Sequence, residues 1–157
     1  ASTRRNLAET VNPAIKSLNY LNNILAKIEA NNSGFSEALL LNQEGLVSEG
    51  TGENIFIVKG TNVVTPPVSA GVLEGITRQS LKDISAKLNL IFTETNLTRY
   101  DIFNADEAFL AGTAAEIVPV VSLDRRTIGN GKPGEITKSI LQEFRKLTST
   151  EGIPIYE

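Results

Sequence analysis

Apolar residues recur along the chain with periods that predict alternating helices and strands. Five leucine and isoleucine residues between positions 18 and 28 recur at three- and four-residue spacing. This spacing predicts a helix from about Leu18 to Glu29 with one apolar face. The same periodicity predicts helices over Thr77–Leu88 and Ile136–Leu147, and a short helix near Tyr100–Asn104.

Short apolar runs predict strands between these helices. Residues 37–41 and 55–58 are two such runs on either side of the turn sequence at 42–45, and Gly60-Thr61-Asn62 leads into a third at 63–65. We therefore expect strands joined by hairpins. Further runs predict single strands at 90–93, 108–111 and 117–121. This mixture predicts an α/β or α+β domain and disfavours a pure sandwich or helical bundle.

Composition and charge narrow the class of protein. The 157 residues, 41% of them hydrophobic, indicate one globular domain covering residues 1–157. A net charge of -3 leaves no broad basic surface, so we expect no nucleic-acid partner. There is no apolar run of roughly 20 residues and no basic, apolar leader, so we expect no membrane partner and a cytoplasmic location.

The missing residue types restrict the chemistry. The chain has no cysteine and no histidine, which excludes disulfides and Ser-His or Cys-His catalysis and makes a metal site unexpected. An enzyme of this composition must use a lysine, a carboxylate, a tyrosine or an organic cofactor. The chain also begins at Ala1 and has no methionine, so we expect either a removed initiator or a fragment.

Two glycine-containing segments combine small residues with isolated polar groups. Residues 48–56 place the carboxylate of Glu49 before two glycines and a strand; the simpler interpretation is a solvated hairpin loop. Residues 112–116 separate two strand runs with small residues and the hydroxyl of Thr113, so a ligand could approach the backbone. The simpler alternative there is a tight strand connection.

A third segment, residues 71–78, leads into the first turn of the helix predicted at 77–88. Unpaired amides at a helix N-terminus attract anions, so Ile76 and Thr77 could hold a phosphate. The simpler alternative is that Thr77 caps the helix. The domain thus has two turns that could hold a phosphate, at residues 71–78 and 112–116, and the carboxylate of Glu49. Together they suggest a phosphorylated cofactor. A bare nucleotide-binding module is disfavoured because the Walker and dinucleotide spacings are both missing.

These segments resemble a known family in residues and spacing. The runs Glu49-Gly50-Thr51-Gly52-Glu53-Asn54-Ile55-Phe56, Val63-Val64-Thr65-Pro66-Pro67 and Val72-Leu73-Glu74-Gly75-Ile76-Thr77-Arg78 are similar to the signature of class IV pyridoxal-phosphate-dependent aminotransferases. Residues 15–21 resemble the family's lysine segment, and the resemblance extends from about Lys16 to Leu147. Residues 52–54 and 112–116 resemble the branched-chain enzymes more than D-amino acid transaminases or aminodeoxychorismate lyases. These two activities, and a non-catalytic domain that keeps the fold, remain alternatives.

The resemblance implies a fold, a cofactor and a set of site residues. It implies the family's large C-terminal domain, a mixed barrel-like sheet with flanking helices, and the cofactor pyridoxal 5'-phosphate. Lys16 would bind the cofactor covalently and act as the catalytic residue, and Glu49 would pair with the pyridine nitrogen. The other implied contacts are Tyr20 at the phenolate oxygen, Leu73 against the ring, Ile76, Thr77 and Thr113 at the phosphate, and Thr113 and Ala114 at the substrate.

The implied reaction transfers the amino group of leucine, isoleucine or valine to 2-oxoglutarate. Family members also carry an N-terminal domain that supplies a phosphate-binding arginine and much of the side-chain pocket, and only fifteen residues precede Lys16 here. Arg4 and Arg5 are too close to the lysine segment to replace that N-terminal domain, so we expect both to be structural. We further expect that the chain alone binds the cofactor weakly and has little activity, and that the full-length form is a homo-oligomer.

Overall fold

The computed structural model describes residues 1–7, 9, 11–152 and 155. Its helices are α1 (Leu21–Asn32), α2 (Ile76–Lys87), α3 (Arg99–Phe103) and α4 (Glu135–Thr150), with a 3-10 turn at Val68–Ala70. Its strands are β1 (Asn54–Lys59), β2 (Asn62–Thr65), β3 (Ile91–Glu94), β4 (Glu107–Gly112), β5 (Glu116–Pro119), β6 (Ser122–Leu123) and β7 (Arg126–Thr127). The predicted mixed sheet with flanking helices is confirmed.

Five strands form one mixed sheet in the order β3-β2-β1-β4-β5. β2 and β3 are parallel and are connected through α2, whereas the other neighbours are antiparallel. β6 and β7 form a separate two-stranded hairpin that the sequence pattern did not predict. Two-residue strands are too short to show an apolar alternation.

The central strand β1 is buried on both faces of the sheet, which explains its uninterrupted apolar run. Ile55 and Ile57 belong to one core cluster, and Phe56 and Val58 belong to the other. Helices α2 and α4 cover the face of Phe56 and Val58, with Ile84 of α2 and other apolar side chains packed there. Long loops and α3 cover the opposite face.

The prediction of a strand at 37–41 that pairs with 55–58 is wrong. Residues 37–41 contain only isolated bridges at Leu41, one to Arg4 and one to Val47. Their partner is the segment at 46–49: Leu40 N donates to Glu49 O at 2.9 Å, and Ser48 N donates to Leu40 O at 2.9 Å. The turn at 42–45 therefore closes on the residues that follow it directly. This hairpin-like turn places Glu49 beside the start of β1.

Helix α1 begins at Leu21, three residues later than predicted, and its burial is unusual. Its small residues Ala26 and Ala30 pack against Leu40 and its neighbours, while the predicted apolar face of larger side chains points outward. Small residues allow the helix axis to approach the underlying segment closely. No helix in the part of the chain that the structure describes is long and apolar enough to cross a membrane.

Candidate active site

One cleft, with a volume of about 310 Å³, brings together segments that are far apart in the sequence. It is lined by residues of the N-terminal stretch, the segment before α1, the start of β1, the start of α2 and the end of β4. Seven of the eight predicted site residues line it: Lys16, Tyr20, Glu49, Leu73, Ile76, Thr77 and Thr113. The eighth, Ala114, is exposed in the turn between β4 and β5, next to Thr113.

Lys16 and Tyr20 lie together at the cleft. Lys16 Nζ donates a hydrogen bond to the hydroxyl of Tyr20 at 3.3 Å. The side chain of Lys16 is exposed, whereas Tyr20 is partly buried. The cleft therefore presents an accessible amine beside a phenol, and an amine is the group that forms a covalent bond with a carbonyl compound.

Glu49 is the buried carboxylate of the cleft, with 5% of its surface exposed. The alternative of a solvated loop is therefore wrong. Its Oε2 accepts hydrogen bonds from Leu73 N at 2.9 Å and from Asn54 Nδ2 at 3.1 Å. Its Oε1 accepts one from Arg5 at 2.6 Å. A carboxylate has about four acceptor sites, so one remains for a further donor.

Arg5 is part of this site, although we expected it to be structural. It is 6% exposed, and each of its guanidinium nitrogens has a partner. Nη2 pairs with Glu49, Nη1 donates to Asn23 Oδ1 at 2.8 Å, and Nε donates to Gly71 O at 3.0 Å. Asn23 in turn donates to Thr51 O at 2.8 Å. Arg5 thus links the N-terminal stretch to three other segments of the cleft.

The electrostatics of Glu49 are set by opposing effects. Burial raises the pKa of its carboxyl, and this effect exceeds the lowering by the charge of Arg5, the amide of Leu73 and the charge of Lys16. The ionised form is therefore costly in this position, and Arg5 reduces that cost. A proton donor placed at the remaining acceptor site would favour the ionised form further.

The N-terminus of α2 opens into the cleft without a side-chain cap. The N-cap residue is Gly75, so the alternative that Thr77 caps the helix is wrong. The N-terminus of α4 differs, because Glu107 of β4 accepts from Thr137 N at 2.8 Å and from Ile136 N at 3.1 Å. The amides that begin α4 are thus already paired with a carboxylate of the chain, whereas those of α2 can pair with an anion in the cleft.

A second carboxylate, Glu53, also lines the cleft. Burial and the nearby charge of Glu37 raise its pKa. Glu37 itself accepts from Thr51 Oγ1 at 2.6 Å and from Lys27 at 2.6 Å. The side chain of Glu53 lies against Gly112, where a Cβ would meet Glu53 Cγ at 3.4 Å. Glu53 therefore fills the space between the two glycine-containing turns.

Comparison with known proteins agrees with this geometry. The family model for amino-transferase class IV matches residues 1–123. Because this match covers more than half of the chain, the chain belongs to the class IV aminotransferase family.

Three relatives show which enzymes the chain is similar to. A Methanocaldococcus jannaschii protein, provisionally named a branched-chain-amino-acid aminotransferase, is 48% identical over 156 residues, which are 99% of this chain and 54% of that protein. The D-alanine aminotransferase of Bacillus licheniformis is 40% identical over 126 residues, 80% of this chain and 44% of that enzyme. The branched-chain amino acid aminotransferase of Thermobaculum terrenum in its PLP form has a TM-score of 0.91 and 40% identity, covering 94% of this chain and 48% of that one.

The chain thus spans about half the length of these relatives. Its residues fit the cofactor named for the Thermobaculum terrenum structure. The cleft offers an accessible amine at Lys16, one acceptor site on the buried Glu49 and uncapped amides at the start of α2. These are the groups that an aldehyde, a protonated ring nitrogen and a phosphate require.

Proposed function

We propose that this chain is the cofactor-binding part of a pyridoxal-phosphate-dependent aminotransferase that acts on branched-chain L-amino acids and 2-oxoglutarate. The observation that carries the proposal is the convergence of Lys16, Glu49 and the uncapped start of α2 on one cleft. The sequence relatives and the Thermobaculum terrenum structure support the branched-chain assignment.

In this proposal different residues contact different parts of the cofactor. Lys16 Nζ holds it covalently, and Tyr20, which already accepts a hydrogen bond from Lys16, contacts its phenolate oxygen. Glu49 accepts a hydrogen bond from the ring nitrogen. The other contacts are Leu73 against the ring and Ile76, Thr77 and Thr113 at the phosphate. When bound, pyridoxal phosphate supplies a ring that withdraws electrons from the substrate's α-carbon.

The chain's own groups then handle the proton and the substrate. Once an amino acid has displaced it, Lys16 Nζ would accept the proton from the substrate's α-carbon and pass it to the imine carbon of the cofactor, and the second half-reaction would reverse this transfer. Arg5 orients Glu49, since it fixes Oε1 at 2.6 Å and leaves an acceptor site open. Thr113 and the turn amides at Ala114 bind the substrate carboxylate, because amides in a tight turn point at a common anion.

The experiment that tests this proposal is a visible absorbance scan of the purified chain with added pyridoxal phosphate, repeated on Lys16→Ala. We expect an imine band that borohydride abolishes, because it reduces the imine to a stable secondary amine and leaves the added mass on the peptide containing Lys16. The band is absent from Lys16→Ala. Attachment to another lysine, or no difference between the two proteins, would refute the assignment.

The scan is run on the longer parent chain as well, because the 157 residues span about half of the relatives. We expect weak cofactor binding and little transaminase activity in the shorter chain, and full binding in the longer one. A parent chain without the band would identify a non-catalytic relative. We also expect the full-length protein to be a cytoplasmic homo-oligomer.

A second candidate function is transamination of D-amino acids, which the similarity to the Bacillus licheniformis enzyme favours. It would use the same lysine and glutamate, so the scan does not separate the two. A panel of L-leucine, L-valine, L-isoleucine and D-alanine as amino donors for the parent chain does. Preference for D-alanine would replace the branched-chain assignment.

A further inference from the structure

Asn54 is a buried polar side chain of the cleft, and none of the proposed cofactor contacts uses it. It is the first residue of β1, it lines the cleft, and 7% of its surface is exposed. Its backbone is paired with Ala111 of the neighbouring strand β4. A residue on a paired central strand has a well-fixed position, because the sheet holds its backbone. Asn54 is therefore a rigid point from which other parts of the cleft can be held.

The amide nitrogen of Asn54 connects Glu49 to the turn that precedes α2. Asn54 Nδ2 donates to Glu49 Oε2 at 3.1 Å and to Leu73 O at 3.0 Å. Leu73 N donates to the same oxygen of Glu49 at 2.9 Å, so the three residues form a closed ring of hydrogen bonds. Both partners of Nδ2 are acceptors, and only one orientation of the side-chain amide satisfies them. The orientation of the Asn54 amide is thus defined by its contacts.

The oxygen of the same amide lies against Gly75, the N-cap residue of α2. A Cβ added to Gly75 would lie 2.9 Å from Asn54 Oδ1, whereas its next neighbours, two atoms of Arg78, would lie at an ordinary 3.9 Å. The backbone of Gly75 has a φ of -73° and a ψ of 146°, a conformation that every residue type adopts. The backbone conformation therefore does not require glycine at position 75, but the contact with Asn54 does.

These contacts place Asn54 between the two ends of the proposed cofactor site. Glu49 is the proposed acceptor for the ring nitrogen, and the start of α2 is the proposed site for the phosphate. Pyridoxal phosphate carries both groups on one rigid ring, so their separation varies little. A site binds such a ligand tightly only if its two halves match that separation to within about 0.5 Å.

We propose that Asn54 is a positioning residue that fixes the separation between the carboxylate of Glu49 and the start of α2, and that position 75 is glycine to admit the Asn54 amide. This inference rests on the proposed function. Asn54 acts through its two neighbours and does not touch the reacting atoms. Without it, each half of the site still binds its own part of the cofactor, but the whole cofactor no longer fits both halves at once.

The test uses the longer parent chain and measures three dissociation constants, for pyridoxal phosphate, for pyridoxal, which lacks the phosphate, and for inorganic phosphate. Asn54→Ala should weaken the binding of pyridoxal phosphate by about 10-fold or more, the effect of about one hydrogen bond to a charged group. It should weaken pyridoxal and phosphate by less than about 3-fold each, because each contacts one half of the site. Asn62→Ala is the matched control, since Asn62 joins β2 to β3 through Thr93 outside the cleft, and it should change none of the three.

Gly75→Ala tests the same contact from the other side and keeps every hydrogen-bonding group of Asn54. Alone, it should weaken the binding of pyridoxal phosphate by about 10-fold, because the added Cβ displaces the Asn54 amide. In the Asn54→Ala background it should have almost no further effect, since the oxygen that the Cβ would meet is gone. The midpoint of urea unfolding, measured without cofactor, shows whether each variant is folded. If Asn54→Ala does not fold, the comparison of the three ligands on Gly75→Ala carries the test.

Three results would overturn the positioning role. The first is a loss of pyridoxal phosphate binding no larger than the product of the losses for pyridoxal and for phosphate. The second is a double variant in which the two substitutions act independently, so that their fold-changes multiply. Both of these leave the imine band of the native parent chain, and with it the proposed function, intact. The third is a native parent chain that forms no imine band, which overturns the proposed function as well.

Discussion

The pairing of Arg5 with Glu49 leads to a prediction about how the stability lost on replacing Arg5 depends on pH. Replacing Arg5 by methionine keeps an apolar stem of similar length but removes the charge that lies 2.6 Å from Glu49. Both side chains are about 7% exposed. Removing one partner of a buried ion pair typically costs about 3–5 kcal/mol, because the other charge stays buried without compensation.

The pH dependence follows from the raised pKa of Glu49. A carboxyl whose pKa is higher in the folded than in the unfolded protein destabilises the fold as pH rises through the folded value, and this cost is absent below the unfolded value. Arg5→Met removes a lowering influence, so the pKa of Glu49 rises further. The stability lost by Arg5→Met should therefore be larger near pH 7.5 than near pH 4.5, because the raised pKa leaves more of Glu49 protonated at the lower pH.

Urea unfolding followed by circular dichroism gives the free energy of unfolding at each of the two pH values. Arg4→Met is the matched control, because Arg4 is the adjacent arginine and its side chain is exposed; a loss below about 0.5 kcal/mol is expected there. Glu49→Gln in the Arg5→Met background should recover about 2 kcal/mol at pH 7.5, as a coupling energy between contacting residues. Equal losses at both pH values, or equal effects at positions 4 and 5, would refute the reasoning.

Three further predictions concern other carboxylates and one glycine. Glu53→Gln should raise the melting temperature at pH 8 by about 2 °C and leave it unchanged at pH 4, because the raised pKa of Glu53 makes its ionised form costly as pH rises; equal shifts would contradict this. Glu107→Gln should cost about 1–2 kcal/mol in urea unfolding through the lost charged cap of α4, and more than Glu135→Gln, an exposed acid in the same helix. Gly71→Ala, at φ +89°, should cost about 1–3 kcal/mol. This cost should exceed the cost of Gly34→Ala, because a Cβ at Gly34, where φ is +79°, meets no atom within 4 Å. Equal costs would exclude a contribution from crowding at Gly71.

Elements with strong local periodicity could be predicted from the sequence, whereas pairing between segments could not. α2 and α4 follow from their apolar spacing, and β1 and β2 follow from continuous apolar runs around Gly60. The strand expected at 37–41 failed because an apolar run does not specify its partner, and here the short turn at 42–45 favours a local closure. The orientation of α1 also depends on tertiary contacts, since its alanine face is the one that fits the underlying segment.

The site was predicted through resemblance to a family and not through chemistry visible in single residues. Without that resemblance, Lys16 resembles any other lysine. Arg5 was missed because its partner is 44 residues away in the chain and no local pattern connects the two. One general rule applies: a carboxylate requires a cation or several donors once it is buried. That rule predicts a counter-charge for Glu49 but does not identify which of the basic residues supplies it.

The construction of the cleft from five separate segments couples ligand binding to the folding equilibrium. Its walls come from residues near positions 5, 16, 49, 75 and 112, so a partly folded chain that lacks any one of these segments has no complete binding site. A ligand of the cleft therefore binds the native state alone and draws the population towards it. At a free concentration of 100 times its Kd, such a ligand adds about 2.7 kcal/mol to the unfolding free energy. A ligand at that concentration would therefore also lower the fraction of unfolded chain that a protease can attack.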